Sequence, residues 1–216
     1  KAGNPIQGPG LDLAWLRERG ARFRARWDRL PDGFCQHQKS WIVDAGEPSE
    51  IAFVGGINLD THSIAPHGHA VREMPQIHDV YLELRGPSAT DVHHNFVQRW
   101  NEASDRSAAG GVWPDAPGAG LLAFPTRLSE PAGPVPVQIT RTVLAGRYSD
   151  ATAAPGSRPF PIAGGETSVF EQYLAAISAA KRTLYLENQA IGSPGVVDAL
   201  EAALARGVEV VFLVPG

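Results

Sequence analysis

HQKSWIVDAGEPSEIAFVGGINL, residues 37 to 59, decides the reading of this chain. WIVD and IAFV are short apolar runs rich in β-branched and aromatic residues. AGEPSE between them is a turn built on Gly, Pro and Ser, so the stretch predicts two strands joined by a turn. Gly55 and Gly56 end the second strand and leave its backbone free to approach a ligand, with the Asn58 amide close by as a hydrogen-bond partner. Side chains alternate faces along a strand, so His37 and Lys39, two residues apart, share one. An imidazole can attack phosphorus while an ammonium beside it holds a negative oxygen, which suits a phosphodiester. Asp44, five residues beyond Lys39, falls on the opposite face if the strand continues and reads as an orienting or structural group. The competing reading, a chance polar pair on an edge strand, loses ground to the strand–turn–strand context.

With these residues in place the sequence resembles the phospholipase D superfamily, whose members carry H-x-K-x4-D followed by Gly-Gly or Gly-Ser and an Asn. HDVYLELRGPSATDVHHNFVQRWNE (His78 to Glu102) is similar to the segment that follows the motif in the lipid-acting branch. VQITRT (Val137 to Thr142) and YLENQA (Tyr185 to Ala190) are similar to two further family segments. The resemblance implies that His37 is a nucleophile or general acid, and that Lys39 and Asn58 bind phosphoryl oxygens. It implies chemistry through a covalent phosphohistidine with no metal or other cofactor. Residue by residue it places His37, Lys39 and Asp44 in the catalytic motif, with Asn58, Gly55, Gly56 and His78 beside the substrate. The family often has an aromatic where Ala190 stands, so the acyl or headgroup side of the pocket is expected to differ here.

One departure matters. The family site takes two copies of the motif, and this sequence holds one. LDLAWLRERG followed by ARFRARW reads as helix then strand, and so does DALEAALARG followed by VEVVFLV. His37 lies 17 residues beyond Gly20, and the same step from Gly207 passes Gly216. The expectation is a piece of a longer two-motif protein, with residues 1–150 forming a first repeat and 151–216 the start of a second. A symmetric homodimer joining two copies of His37 is the structural alternative.

At 216 residues and 43% hydrophobic, the chain has enough apolar surface for one sizeable core, as in a soluble globular protein, and no apolar run approaches bilayer-spanning length. The expectation is a soluble or peripheral membrane protein of no indicated compartment. A single cysteine, Cys35, excludes an intrachain disulfide and reads as a small buried hydrophobe. The net charge of −4 argues against a general nucleic-acid binder. Six arginines between Arg17 and Arg29 run against that balance; Arg22, Arg24 and Arg26 alternate with Phe23, Ala25 and Trp27. A solvated strand face is the preferred account of them, and attraction of anionic headgroups or a phosphate backbone the functional one.

The rest of the chain reads as α/β. PSATDVHHNFVQRWN is a helix with Val92, Phe96, Val97 and Trp100 at helical spacing and Ser88 with Asp91 as its capping pair. TSVFEQYLAAISAAK is a second helix, capped by Ser168 with Glu171. TLYLEN and VEVVFLV are strands flanking a third helix that Pro194 opens after Ser193. This order predicts an α/β/α sandwich with a mixed, mainly parallel sheet. The Gly- and Pro-rich stretches 103–136 and 149–165 read as long surface loops.

His62, His67 and His69, with His78 and Asp79 beyond, raise a competing zinc site, but their spacing fits no helical ligand pattern and loop histidines describe them better. Tyr185, Glu187 and Gln189 share a strand face by parity, so Glu187 and Gln189 are candidates to orient a histidine or bind substrate. The combined expectation is a phosphodiesterase or phosphatidyltransferase acting on phospholipid at a membrane surface, with water or an alcohol as acceptor. A DNA phosphodiesterase and a non-catalytic headgroup-binding module are the alternatives.

Overall fold

The computed structural model describes residues 18–20, 26, 28, 34–58, 77–103 and 120–215. His62, His67, His69, Arg22 and Arg24 lie outside them, and so do nearly all of the helix and strand expected over residues 11–27. Two compact units are present. The first takes residues 1–139 and 148–160, and the second takes 140–147 and 161–216.

In the first unit, β1 (Lys39–Val43), β2 (Ile51–Gly55) and β3 (Tyr81–Arg85) form an antiparallel sheet in that order. The register places Lys39 opposite Gly55 and Gly55 opposite Tyr81 at one end, and Ile42, Ala52 and Leu84 in line across the middle. Helix α1 (Pro87–Asn101) packs on the face bearing Ile42, Ala52, Val54 and Leu84 through Ala89 and Val92. Full burial of a Val, Leu or Ile side chain contributes on the order of 2 kcal/mol, and of an Ala methyl about 0.8 kcal/mol. The opposite face carries Trp41, stacked on Phe53 at 4.7 Å and edge-on to Tyr81 at 6.3 Å.

The capping of α1 differs from the sequence expectation. Gly86, at φ 84°, is the N-cap, Pro87 stands in the first turn, and no side chain caps the amides. Ser88 is therefore already helical. At this tight entry a methyl group on Gly86 would approach within 3.2 Å of Ala132 N. Val92 and Val97 face the core as expected, whereas Phe96 is exposed and stacks on Trp100. Trp100 donates its indole N–H to Gly120 O at 2.7 Å, and Arg26 lies over its ring. The loops beyond α1 are held by the helix itself. Gln98 donates to Asp150 O, His94 lies 2.8 Å from Thr152 O, and the Glu102 carboxylate accepts the amides of Ser149 and Asp150. Stretch 149–165 thus begins as a strap along α1.

In the second unit, β4 (Thr142–Val143) pairs antiparallel with β5 (Glu166–Thr167) just ahead of α2 (Ser168–Ala179). Thr167 is the N-cap residue, one position earlier than expected, and Ser168 turns away to bond Glu166 and Arg141 O. β6 (Thr183–Glu187), α3 (Pro194–Ala205) and β7 (Glu209–Leu213) form a strand–helix–strand crossover whose strands pair parallel. Ser193 and Pro194 open α3 as expected. Ile177, Leu200, Ala203 and Val208 make this unit's core, backed by Leu184, Leu186 and Val210. Gly20 and Gly207, which follow the two matched Arg residues, both adopt left-handed backbone, at φ 69° and 83°.

The molecule is mixed α/β, but a mainly parallel sheet is not what the described strands form. Of their four ladders, three are antiparallel and β6–β7 is parallel. The reason is local: a short turn at 44–50 joins β1 to β2 and permits a hairpin, whereas a parallel pair needs a crossover such as α3.

Candidate active site

The site is built at the end of the first sheet where Lys39, Gly55 and Tyr81 stand in register. Lys39 is the first residue of β1, and His37 precedes the strand, exposed. Lys39 Nζ lies 2.7 Å from Nδ1 and 2.9 Å from Nε2 of His37, and donates to His37 O at 2.9 Å. Imidazole and ammonium therefore touch, at a place open to an incoming anion.

The two glycines have separate tasks. A Cβ on Gly55 would sit 2.3 Å from Val80 O and 2.9 Å from the Tyr81 ring, so its absence lets β3 close on β2. A Cβ on Gly56 would sit 2.3 Å from Asp79 Oδ2, so its absence makes room for a carboxylate. Asp79 Oδ1 accepts the Val80 amide at 2.7 Å. Tyr81 donates its hydroxyl to Ile57 O at 3.0 Å, tying the segment that leads to Asn58 back onto β3. Asn58 is exposed two residues beyond Gly56, and His78 is exposed beside Asp79.

Charge follows this geometry. Burial holds Lys39 below the ordinary lysine range, while the Asp79 carboxylate and then Cys35 pull it back up. Burial raises the Tyr81 phenol, and Asp79 adds to the rise. A single carboxylate thus acts on both groups that flank Gly55. Sequence reasoning reached Asp79 only within the competing zinc site and did not single out Tyr81, although the signal was present: a small Gly-Gly pair on one strand and an acidic residue at the start of another.

Asp44 stands elsewhere. β1 ends at Val43, so the parity argument does not extend to Asp44, which adopts φ 53° in the turn. Its Oδ2 accepts from Ser49 Oγ at 2.8 Å and its carbonyl accepts the Glu47 amide. A five-residue strand puts it roughly 16 Å from Lys39, so here it shapes the hairpin. Cys35 is exposed rather than buried. Sheet pairing begins at Lys39, four residues beyond Cys35. Glu187 closes β6 and is exposed, and Gln189 lies past the strand end; both belong to the second unit. Among the described residues no group of three His, Cys, Asp or Glu side chains is arranged to hold a metal ion. No helix among them is long and apolar enough to cross a membrane.

No protein-family model matches the chain. Individual relatives do. Phospholipase D alpha 1 of Arabidopsis thaliana is 25% identical over 84% of this chain and 27% of its own length. The Zea mays phospholipase D alpha 1 is also 25% identical, over 72% of the chain and 24% of its own length. Phospholipase D B of Dictyostelium discoideum is 33% identical over 35% of the chain and 9% of its own length. The chain thus spans about a quarter of the length of the plant relatives it matches. Similarity over most of the chain to several phospholipases D supports a relationship to the phospholipase D superfamily.

Proposed function

We propose that the Lys39 end of the first sheet is one histidine half of a phospholipase D-type phosphodiester site. The observation that carries this reading is the Lys39 ammonium within 2.9 Å of both ring nitrogens of His37. A phosphoryl oxygen that took Lys39 Nζ as its partner would bring phosphorus next to an attacking ring nitrogen, in the near-attack range. His37 serves as nucleophile. An N–P bond forms, the P–O bond to the leaving group breaks, and the leaving oxygen departs with the electron pair and takes a proton from an acid. Water or an alcohol then adds to phosphorus through oxygen, gives up its proton, and the N–P bond breaks to restore His37. Lys39 and Asn58 offset charge on the non-bridging oxygens, and the Asp79 carboxylate works against the burial that lowers Lys39. The acid is a second histidine supplied from outside this motif, by another part of a longer polypeptide or by a second copy of the chain. The complete site lies in an α/β/α sandwich. Phosphatidyl groups are the substrate class favoured by the relatives' names and by the 78–102 segment, with hydrolysis or transfer set by the acceptor.

A p-nitrophenyl phosphodiester tests the reading without that acid, because p-nitrophenolate leaves unprotonated. The expected result is a burst of p-nitrophenolate and an acid-labile phosphoryl adduct on His37, both abolished in His37→Asn. A chain that gives neither burst nor adduct overturns the assignment. Transfer of a short-chain phosphatidyl group to ethanol, assayed beside oligonucleotide cleavage, separates the lipid reading from the DNA one.

A further inference from the structure

At the opposite end of the first sheet the hairpin turn and α1 enclose a cavity of about 380 Å³. Its walls are the turn residues Gly46, Glu47, Pro48 and Glu50, His93 from α1, and the stretch from Ala123 to Glu130. That stretch is anchored rather than loose: Ser129 N donates to Thr90 Oγ1, and Leu122 exchanges two hydrogen bonds with the Asn101 side chain. The Glu50 side chain is 2% exposed. One of its oxygens, Oε2, accepts the Gly46 amide at 2.8 Å, and the other, Oε1, is buried with no hydrogen-bond partner. His93 Nδ1 is also buried and makes no hydrogen bond; it lies 3.6 Å from Glu50 Oε2, within ion-pair distance but beyond hydrogen-bond reach. Buried polar atoms are rarely left without partners, and two meet in one cavity here.

The chemistry of the missing partner follows from the walls. Glu47, Glu50 and Glu130 outnumber Arg127, and Arg127 is engaged with Gly46 O at 3.4 Å, so the lining favours a cation. Two orphan acceptors, a carboxylate oxygen and an imidazole nitrogen, call for a donor with more than one N–H. Pro48, Phe124, Pro125 and Leu128 supply apolar surface for a stem. We infer that this cavity binds an alkylammonium group, with Glu50 Oε1 and His93 Nδ1 accepting its N–H bonds and the apolar wall taking its chain. The site stands at the far end of β1 from Lys39, and the inference does not depend on the phosphodiester reading.

The test uses the whole 216-residue chain and two probes, n-butylammonium and Nα-acetyllysinamide, with the His93 ring resonances followed by NMR. Saturable shifts with a dissociation constant of the order of 1 mM are expected, as suits so small a ligand. Saturation by butylammonium alone assigns a free amine, and saturation by both probes assigns a lysine side chain as an acceptable source. Butyltrimethylammonium, equally charged but without N–H groups, should bind at least about ten-fold more weakly. Glu50→Gln should weaken binding to a similar extent, with its fold checked by circular dichroism. Absence of saturable shifts overturns the inference, and so does equal binding of the trimethyl compound, which needs no variant to fold. Unchanged affinity in a folded Glu50→Gln chain overturns it as well.

Discussion

A methyl group added at Gly55 and one added at Gly56 separate the sheet's stability from the site's electrostatics. At Gly55 the new carbon would meet Val80 O at 2.3 Å and the Tyr81 ring at 2.9 Å, against ordinary contacts of 3.4 to 4 Å. The obstacle at Val80 is backbone, so β3 must retreat by about 1 Å at its first pair, which stretches ladder hydrogen bonds beyond their useful length. Overpacking of this kind costs about 3 kcal/mol, and the loss of glycine's unfolded-state freedom returns about 0.5 kcal/mol. Gly55→Ala should therefore lower the unfolding midpoint of the first unit by roughly 5 to 10 °C. At Gly56 the obstacle is the Asp79 carboxylate, an exposed side-chain end that can swing aside. Gly56→Ala should change stability by less than about 1 kcal/mol. It should displace the charge that holds Lys39 up, so that Lys39 loses its proton at lower pH than in the parent chain. All five tryptophans lie in the first unit, so thermal unfolding followed by tryptophan fluorescence reports on it directly. A Gly56→Ala midpoint that falls as far as that of Gly55→Ala would refute the division of labour between the two glycines.

Asp79→Asn should shift the alkaline limb of phosphodiester turnover to lower pH, because it removes the charge that opposes burial at Lys39; a limb that moves to higher pH contradicts the placement. For stability the sign is separate: the Lys39 pKa is lowered in the fold, so the unfolded chain binds more protons between the folded and unfolded values. The contribution of Lys39 therefore turns more favourable as pH rises through that window. Asp91 is raised by burial, with His94 acting the other way, so its ionised form weighs against the fold above the carboxylate range. Asp91→Asn should raise the unfolding midpoint at neutral pH, and that gain should fade as pH falls through the range where Asp91 itself protonates. Glu102→Ala removes the acceptor of the Ser149 and Asp150 amides and should destabilise the first unit by about 2 kcal/mol, with faster proteolysis near residue 150 as the readout. Leu200→Ala, in the second core, should cost about 2 to 4 kcal/mol by urea unfolding; a smaller loss would mean that this core closes around the vacancy.

Several parts of the molecule could be read before any coordinates. The β1–turn–β2 hairpin, the span of α1 and the crossover β6–α3–β7 all follow from short-range pattern, because alternation, helical spacing and Pro at a helix start act over a few residues. Helix caps were read less well. Ser88 was a sound cap by composition, yet Gly86 took the position because the chain enters α1 from β3 against Glu130 and Ala132, at a φ that suits glycine. Cys35 went the other way for a similar reason: its burial depended on whether pairing began before Lys39.

By itself the sequence determined that His37 and Lys39 meet, since a two-residue spacing next to an extended segment leaves their side chains within reach of each other. It also determined that Gly-Gly ends β2. The tertiary structure alone decided what fills the space those glycines leave. Asp79 stands 23 residues beyond Gly56, and it reaches that gap because β3 pairs with β2 in a register where Tyr81 faces Gly55. It likewise decided that Asp44 belongs to the turn and that Glu50 and His93 share a cavity. Such placements depend on strand register and on helix packing across the sheet, which are set by the burial of Ala52, Leu84, Ala89 and Val92 together and by no residue's immediate neighbours.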